Sequence, residues 1–148
     1  MDGSFQEVNL WLSKDEVQKH LPTVFLNQYP NTRVLIDWAE IFIEKPKNPD
    51  SQSLTWSSYK NHNTRKFLLA VTPNSIPCFV SDCYGGRISD KEITRQSGLL
   101  ATGHFEQGDA IMADRGFDIA DLLCGTGIEL NMPPFLNGRD QLDETEVQ

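Results

Sequence analysis

The order of patterned segments in this chain predicts an α/β protein built on a mixed five-stranded sheet flanked by helices. Three observations carry that prediction. Residues 33–37 and 109–117 each contain an apolar run of strand length that reaches an aspartate, Asp37 and Asp114, and the second run stops at Gly116, where the backbone can turn sharply. Residues 66–72 and 76–82 are β-type runs separated by Pro73, Asn74 and Ser75, a hairpin signal. Helix start signals alternate with the later strands, which gives the order strand, hairpin, helix, strand, helix, strand.

Each element follows from local chemistry. Residues 1–32 read as a lead-in arm, with Ser13 as N-cap and Glu16 three residues later as its capping-box partner. The helix over 15–20 stops at Pro22, and Leu10, Trp11, Leu21, Val24 and Phe25 are expected to pack the arm onto the domain. The first strand spans 33–44 and continues past Asp37 through Ile41 and Ile43. Residues 45–58, with Pro46, Asn48, Pro49, Asp50 and several serines, have the composition of a loop. Pro77 makes the second hairpin run an edge strand.

After the loop over 83–87, in which Gly85 and Gly86 permit a tight turn, Ser89 and Glu92 form a second capping box for a helix that runs towards Gly98. The strand to Asp114 follows, then a helix over 119–124 with Asp118 in its cap region, and a strand over 128–132 before Pro133 and Pro134. From Asn137 onward the chain is polar and acidic, a composition that stays disordered. The resulting organisation is an arm (1–32), a domain (33–136) and a tail (137–148).

At 148 residues the chain suffices for one domain with a sizeable core. No apolar stretch reaches the roughly 20 residues a membrane helix needs, and the N-terminus lacks a secretory signal, so no membrane partner and an intracellular location are expected. Cys78, Cys83 and Cys124 are odd in number and irregular in spacing, which fits a reducing compartment and gives neither a disulfide framework nor zinc-site spacing. No serine or cysteine lies in a nucleophile motif, which sets aside a triad hydrolase.

The net charge of -8 is unevenly spread. Residues 1–44 carry -4 and residues 116–148 carry -6, whereas residues 45–115 carry +2. The bases in the middle include Lys60, Lys66 and Arg115, with His62 between the two lysines. They can contact phosphate or form a solvated face. If the two aspartate-tipped runs are neighbouring strands, Asp37 and Asp114 stand side by side, where a hard divalent cation finds oxygen ligands. Glu40 lies at an odd offset from Asp37 and turns to the opposite face of a regular strand, a structural position. Asp90 falls in a first helical turn, where the dipole favours a carboxylate; the other reading is a place beside the site.

Four segments together resemble a known family: 36–41 with 44–46, then 58–66, 85–93 and 108–117. In order and spacing they are similar to the DDE superfamily endonuclease domain of Harbinger-type and related transposases, over about residues 33–136. The resemblance implies a ribonuclease H-like fold and a DNA nuclease that uses two divalent metal ions, Mg²⁺ or Mn²⁺. It assigns Asp37 and Asp114 as the first two catalytic metal ligands. Asp90, Lys60, His62, Lys66 and Arg115 become candidates for a supporting or nucleic-acid-contacting shell. It further implies DNA as partner, the nucleus as location, and possible homo-oligomers.

In that family the third carboxylate is a glutamate on a helix after the last strand. Here the acids after Met132 are Asp140, Asp143, Glu144 and Glu146, in a stretch without amphipathic spacing, and none matches. The expectation is therefore a catalytically incomplete domain, short of its third carboxylate at the C-terminus. Two functions follow: a DDE endonuclease domain that needs a carboxylate from elsewhere, or a non-catalytic descendant that keeps the fold as a binding module.

Overall fold

The computed structural model describes residues 10–114 and 119–133. Helix α1 (Lys14–Lys19) starts at the expected cap, where the Ser13 hydroxyl accepts the Glu16 N–H at 3.2 Å. Helix α2 (Thr23–Gln28) follows Pro22, whose carbonyl accepts the N–H groups of Phe25 and Leu26. The sequence carries no side-chain cap there, so its pattern does not announce this helix. Strand β1 (Thr32–Phe42) comes next.

The segment expected as a loop over 45–58 instead holds helix α3 (Pro49–Thr55) and the two-residue strand β2 (Trp56–Ser57). The Asn48 side chain accepts the N–H groups of Asp50 and Ser51 at 2.8 and 3.3 Å, and Pro49 opens the first turn, where its missing N–H is no loss. Residues typical of loops are here residues typical of a helix start. The hairpin consists of β3 (His62–Val71) and β4 (Pro77–Val80), joined by a turn with Ser75 at φ 74°.

Beyond it lie β5 (Tyr84–Gly85), α4 (Asp90–Ser97), β6 (Ala110–Met112), α5 (Ala120–Leu123) and β7 (Glu129–Asn131). Helix α4 begins with the Ser89 hydroxyl accepting the Glu92 N–H at 3.0 Å and ends at Gly98, φ 89°, a left-handed conformation suited to glycine. Asp118, Arg115 and the residues from 134 onward lie outside the described residues.

Strand β1 is central. It pairs antiparallel with β3 and parallel with β6, which pairs parallel with β7. Strands β2, β5 and β4 pair in turn along β3. The path β4-β3-β1-β6-β7 is the mixed five-stranded sheet of a ribonuclease H-like fold. Pro77 opens a strand whose only neighbour among the described residues is β3, so its missing donor breaks no interior ladder.

Alternation along β1 sorts its residues onto two faces. Val34, Ile36 and Trp38 join Ile93, Leu99, Ile119 and Leu123 in one core, and the Trp38 indole N–H donates to Thr94 at 3.1 Å. On the other face Met112 and Leu35 meet Val17, Leu21 and Phe25 of the arm. Leu10 and Val24 do not join this packing: Leu10 precedes the first helix and is 66% exposed, and Val24 is 50% exposed because the short helix α2 turns only one narrow stripe inward.

Gly85 and Gly86 lie in the expected turn, closed by the Ile88 N–H donating to the Gly85 carbonyl at 3.0 Å, and serve a second purpose as well. Their backbones press against α3 and β3, and a Cβ at Gly86 would stand 1.8 Å from the Thr64 hydroxyl. Neither has the positive φ that a turn would demand of glycine. Within this turn, close approach rather than a left-handed conformation is what requires glycine.

Candidate active site

The parallel pairing of β1 and β6 matches Val34 with Ile111 and Leu35 with Met112. Asp37 and Asp114 both lie two residues beyond the last matched pair, so the two side chains emerge at the same level on the same face as Leu35 and Met112. They line one cleft of about 180 Å³ whose floor includes Leu35, Leu69, Val71 and Met112. Among the described residues its lining holds no lysine or arginine. Asp37 is exposed and its Oδ1 accepts the Trp38 N–H at 2.9 Å; Asp114 is half-buried.

The local sequence explains this arrangement. The arm helices cover the first half of this sheet face and stop short of the aspartates, which leaves the cleft beyond them open. Two carboxylates lining one cleft offer the oxygen ligands that a hard divalent cation takes. The donor set therefore suits Mg²⁺ or Mn²⁺. Among the described residues no cluster of three or more His, Cys, Asp or Glu side chains that could hold a metal ion is present.

The remaining candidates are spread over the molecule. Lys66 and Asp90 pair with each other at 3.3 Å, and Lys66 also donates to the Ile88 carbonyl at 2.9 Å. Both belong to the side of the sheet that α4 covers, away from the cleft. Glu40 accepts a hydrogen bond from Thr64 at 2.7 Å, a structural role. His62 stacks on Phe42 with ring centroids 4.5 Å apart, at the far end of β1, and the Lys60 ammonium stands 5.1 Å from the centre of the Tyr59 ring. Arg115 lies outside the described residues.

At the opposite end of the β1–β6 pair is a group that the sequence does not announce. Arg33 and Asp109 form an ion pair at 2.5 Å, with side chains only 5% and 1% exposed. Arg33 also donates to the Leu12 carbonyl at 3.1 Å and lies over the Trp11 ring, while Asp109 accepts the Glu106 N–H at 2.8 Å and has Lys14 3.7 Å away. No periodicity links residues so distant in the chain. The only available signal was a charged residue at the start of each apolar run.

Comparison with protein families gives one result. A model described as DDE superfamily endonuclease matches residues 36–148, beginning one residue before Asp37 and continuing through Asp114. No curated protein and no solved structure matches the chain. No helix among the described residues is long and apolar enough to cross a membrane. The family match spans most of the sequence and includes both aspartates that the sheet brings to one cleft, and on that basis the chain belongs to the DDE superfamily endonucleases.

Proposed function

We propose that this domain carries divalent-metal phosphodiester chemistry on DNA through Asp37 and Asp114, and that these two carboxylates alone do not sustain turnover. The observation that carries this reading is the emergence of both aspartates at one level of adjacent parallel strands, over a shared cleft. Strand pairing sets the level of Asp37 on β1 and of the end of β6, two residues before Asp114. The Trp38 N–H holds one Asp37 oxygen, and an apolar floor lies beneath the pair. When bound, Mg²⁺ or Mn²⁺ supplies a charge sink for the phosphate and makes a water nucleophilic near neutral pH. A third carboxylate must come from outside the described residues for that chemistry to turn over. DNA is the substrate class, and the nucleus is where the domain would meet it.

A second reading is favoured by the two-member donor set itself: a non-catalytic descendant that keeps the fold as a binding module and holds no cation. Metal binding separates the two. Titration of Mn²⁺ into the protein should raise its melting temperature, since a ligand that binds only the native state stabilises it by about 2.7 kcal/mol at 100 times its dissociation constant. Asp37→Asn and Asp114→Asn should each abolish the rise. An unchanged midpoint at millimolar Mn²⁺ would reject the metal site and leave the binding module.

A further inference from the structure

A second surface of the molecule has its own composition. Residues 41–65 carry four bases (Lys45, Lys47, Lys60 and Arg65) against two acids (Glu44 and Asp50), a balance of +2 in a chain of -8. The same stretch exposes five large apolar side chains, among them Phe42 at 62%, Trp56 at 43% and Tyr59 at 73%. Basic and aromatic groups thus share one region of surface.

The fold arranges them around an open groove. Lys45, Trp56, Asn63 and Arg87 line it, together with polar residues of α3. Its walls are firm. Asn63, 5% exposed, donates to the Gln52 carbonyl and to the Thr55 hydroxyl at 2.9 Å each, tying β3 to α3. Arg87 donates to the Ser53 hydroxyl at 2.7 Å, and its N–H reaches the Leu54 carbonyl. The close approach of Gly85 and Gly86 holds this wall against α3. In the adjoining turn the Lys60 ammonium lies over Tyr59, and Phe42 stacks on His62.

Phosphates match the basic side chains, and unstacked nucleotide bases match the exposed aromatics. A duplex hides the faces of its bases, whereas a single strand offers one π-face per nucleotide to an exposed ring. We propose that this groove and its adjoining turn bind single-stranded DNA, with Trp56 and Tyr59 stacking on bases and Lys45, Lys60 and Arg87 meeting phosphates. The inference deepens the DNA endonuclease reading. Phe42 lies five residues beyond Asp37 on the same strand, about 17 Å at the usual rise of a strand. Lys45, three residues beyond Phe42, lines the groove, so β1 runs from the aspartate cleft towards it.

The test is fluorescence polarisation with a labelled oligonucleotide of about 15 thymidines, within the span such surfaces cover, in EDTA. The wild-type protein should bind it more tightly than a duplex of equal length. Trp56→Ala and Tyr59→Ala should each weaken binding by about tenfold, in the range measured for loss of one stacked base. Trp56→Phe should restore most of the loss. Lys45→Ala and Lys60→Ala should each lower the slope of log K against log salt by about 0.7.

No binding by the wild-type protein, equal affinity for duplex, or full affinity in Trp56→Ala and Tyr59→Ala would each overturn the proposal. So would a self-association that Trp56→Ala abolishes and the oligonucleotide does not compete with. If Mn²⁺ fails to bind while the oligonucleotide still does, the metal reading falls and this one stands; the reverse result rejects only the groove.

Discussion

The two ends of the β1–β6 pair hold the same residue type under opposite conditions. At the start of the strands Asp109 is sealed in, 1% exposed, bound to Arg33 at 2.5 Å and to the Glu106 N–H. At the finish Asp37 and Asp114 face a cleft whose lining, among the described residues, has no cationic side chain. A buried carboxylate with a fixed cation belongs to the fold; carboxylates lining an open cleft are the ones the proposed cation would use. The contrast depends on what covers each end. Trp11, Leu12 and Lys14 of the arm close over the first, and the arm does not extend to the second.

The largest effect should come from breaking the sealed end. Asp109→Ala leaves the Arg33 guanidinium buried without its partner, which costs about 3–5 kcal/mol. Urea unfolding should show a correspondingly lower midpoint, and Arg33→Met combined with Asp109→Leu should recover most of the loss because no buried charge remains. A loss under 1 kcal/mol in Asp109→Ala would mean that water or another cation reaches this end, and the contrast between the two ends would fail.

A smaller effect lies beside Arg33. Burial pushes the Cys78 thiol up to about 11 from its usual 9.0, with the Arg33 guanidinium pulling the other way, and its Sγ–H donates to the Ala70 carbonyl at 3.6 Å. Because the folded value is raised, the neutral thiol's contribution is fully present below pH 9.0 and is lost as pH rises towards about 11. At 1.36 kcal/mol per pH unit the loss approaches about 2–3 kcal/mol. Stability measured from pH 8 to 11 should fall more steeply in the wild type than in Cys78→Ala. Parallel curves would show that the thiol is not held neutral by the core.

The smallest effect has the opposite sign. In EDTA, Asp37→Asn removes one of two like charges while keeping an oxygen for the Trp38 N–H, and should raise stability by up to about 1 kcal/mol. Thermal melting against the wild type gives the sign. A lower midpoint would show that Asp37 already stabilises the metal-free fold, as Asp109 does at the other end.

Most of the sheet was legible because its signals are local. Ser13 and Ser89 cap the helices the sequence assigned to them, and both aspartate-tipped runs are strands in one sheet. Composition misled at α3, where Asn48 and Pro49 read equally as loop or as helix start and only the packing of Gly85 and Gly86 against that segment decides. Periodicity could group Asp37 with Asp114 by their place in similar runs. It could not separate them from Lys66 and Asp90, whose position on the α4 side depends on three-dimensional packing. The ion pair of Arg33 with Asp109 was invisible for the same reason.

The parallel pairing of β1 with β6 also sets a schedule. Antiparallel pairing with β3 can form soon after residue 71 is made, but Asp37 gains Asp114 as a neighbour only after the whole intervening chain has been synthesised. At translation speeds of roughly 5–20 residues per second, that interval is on the order of ten seconds or less. During it a nascent chain can carry the hairpin, and even the groove segment of α3 and β2, with only half of a cation site. Any interrupted product ending before β6 would keep the first aspartate and lack the capacity to pair it, so the cleft arises only in chains that have passed nearly the whole of the sheet.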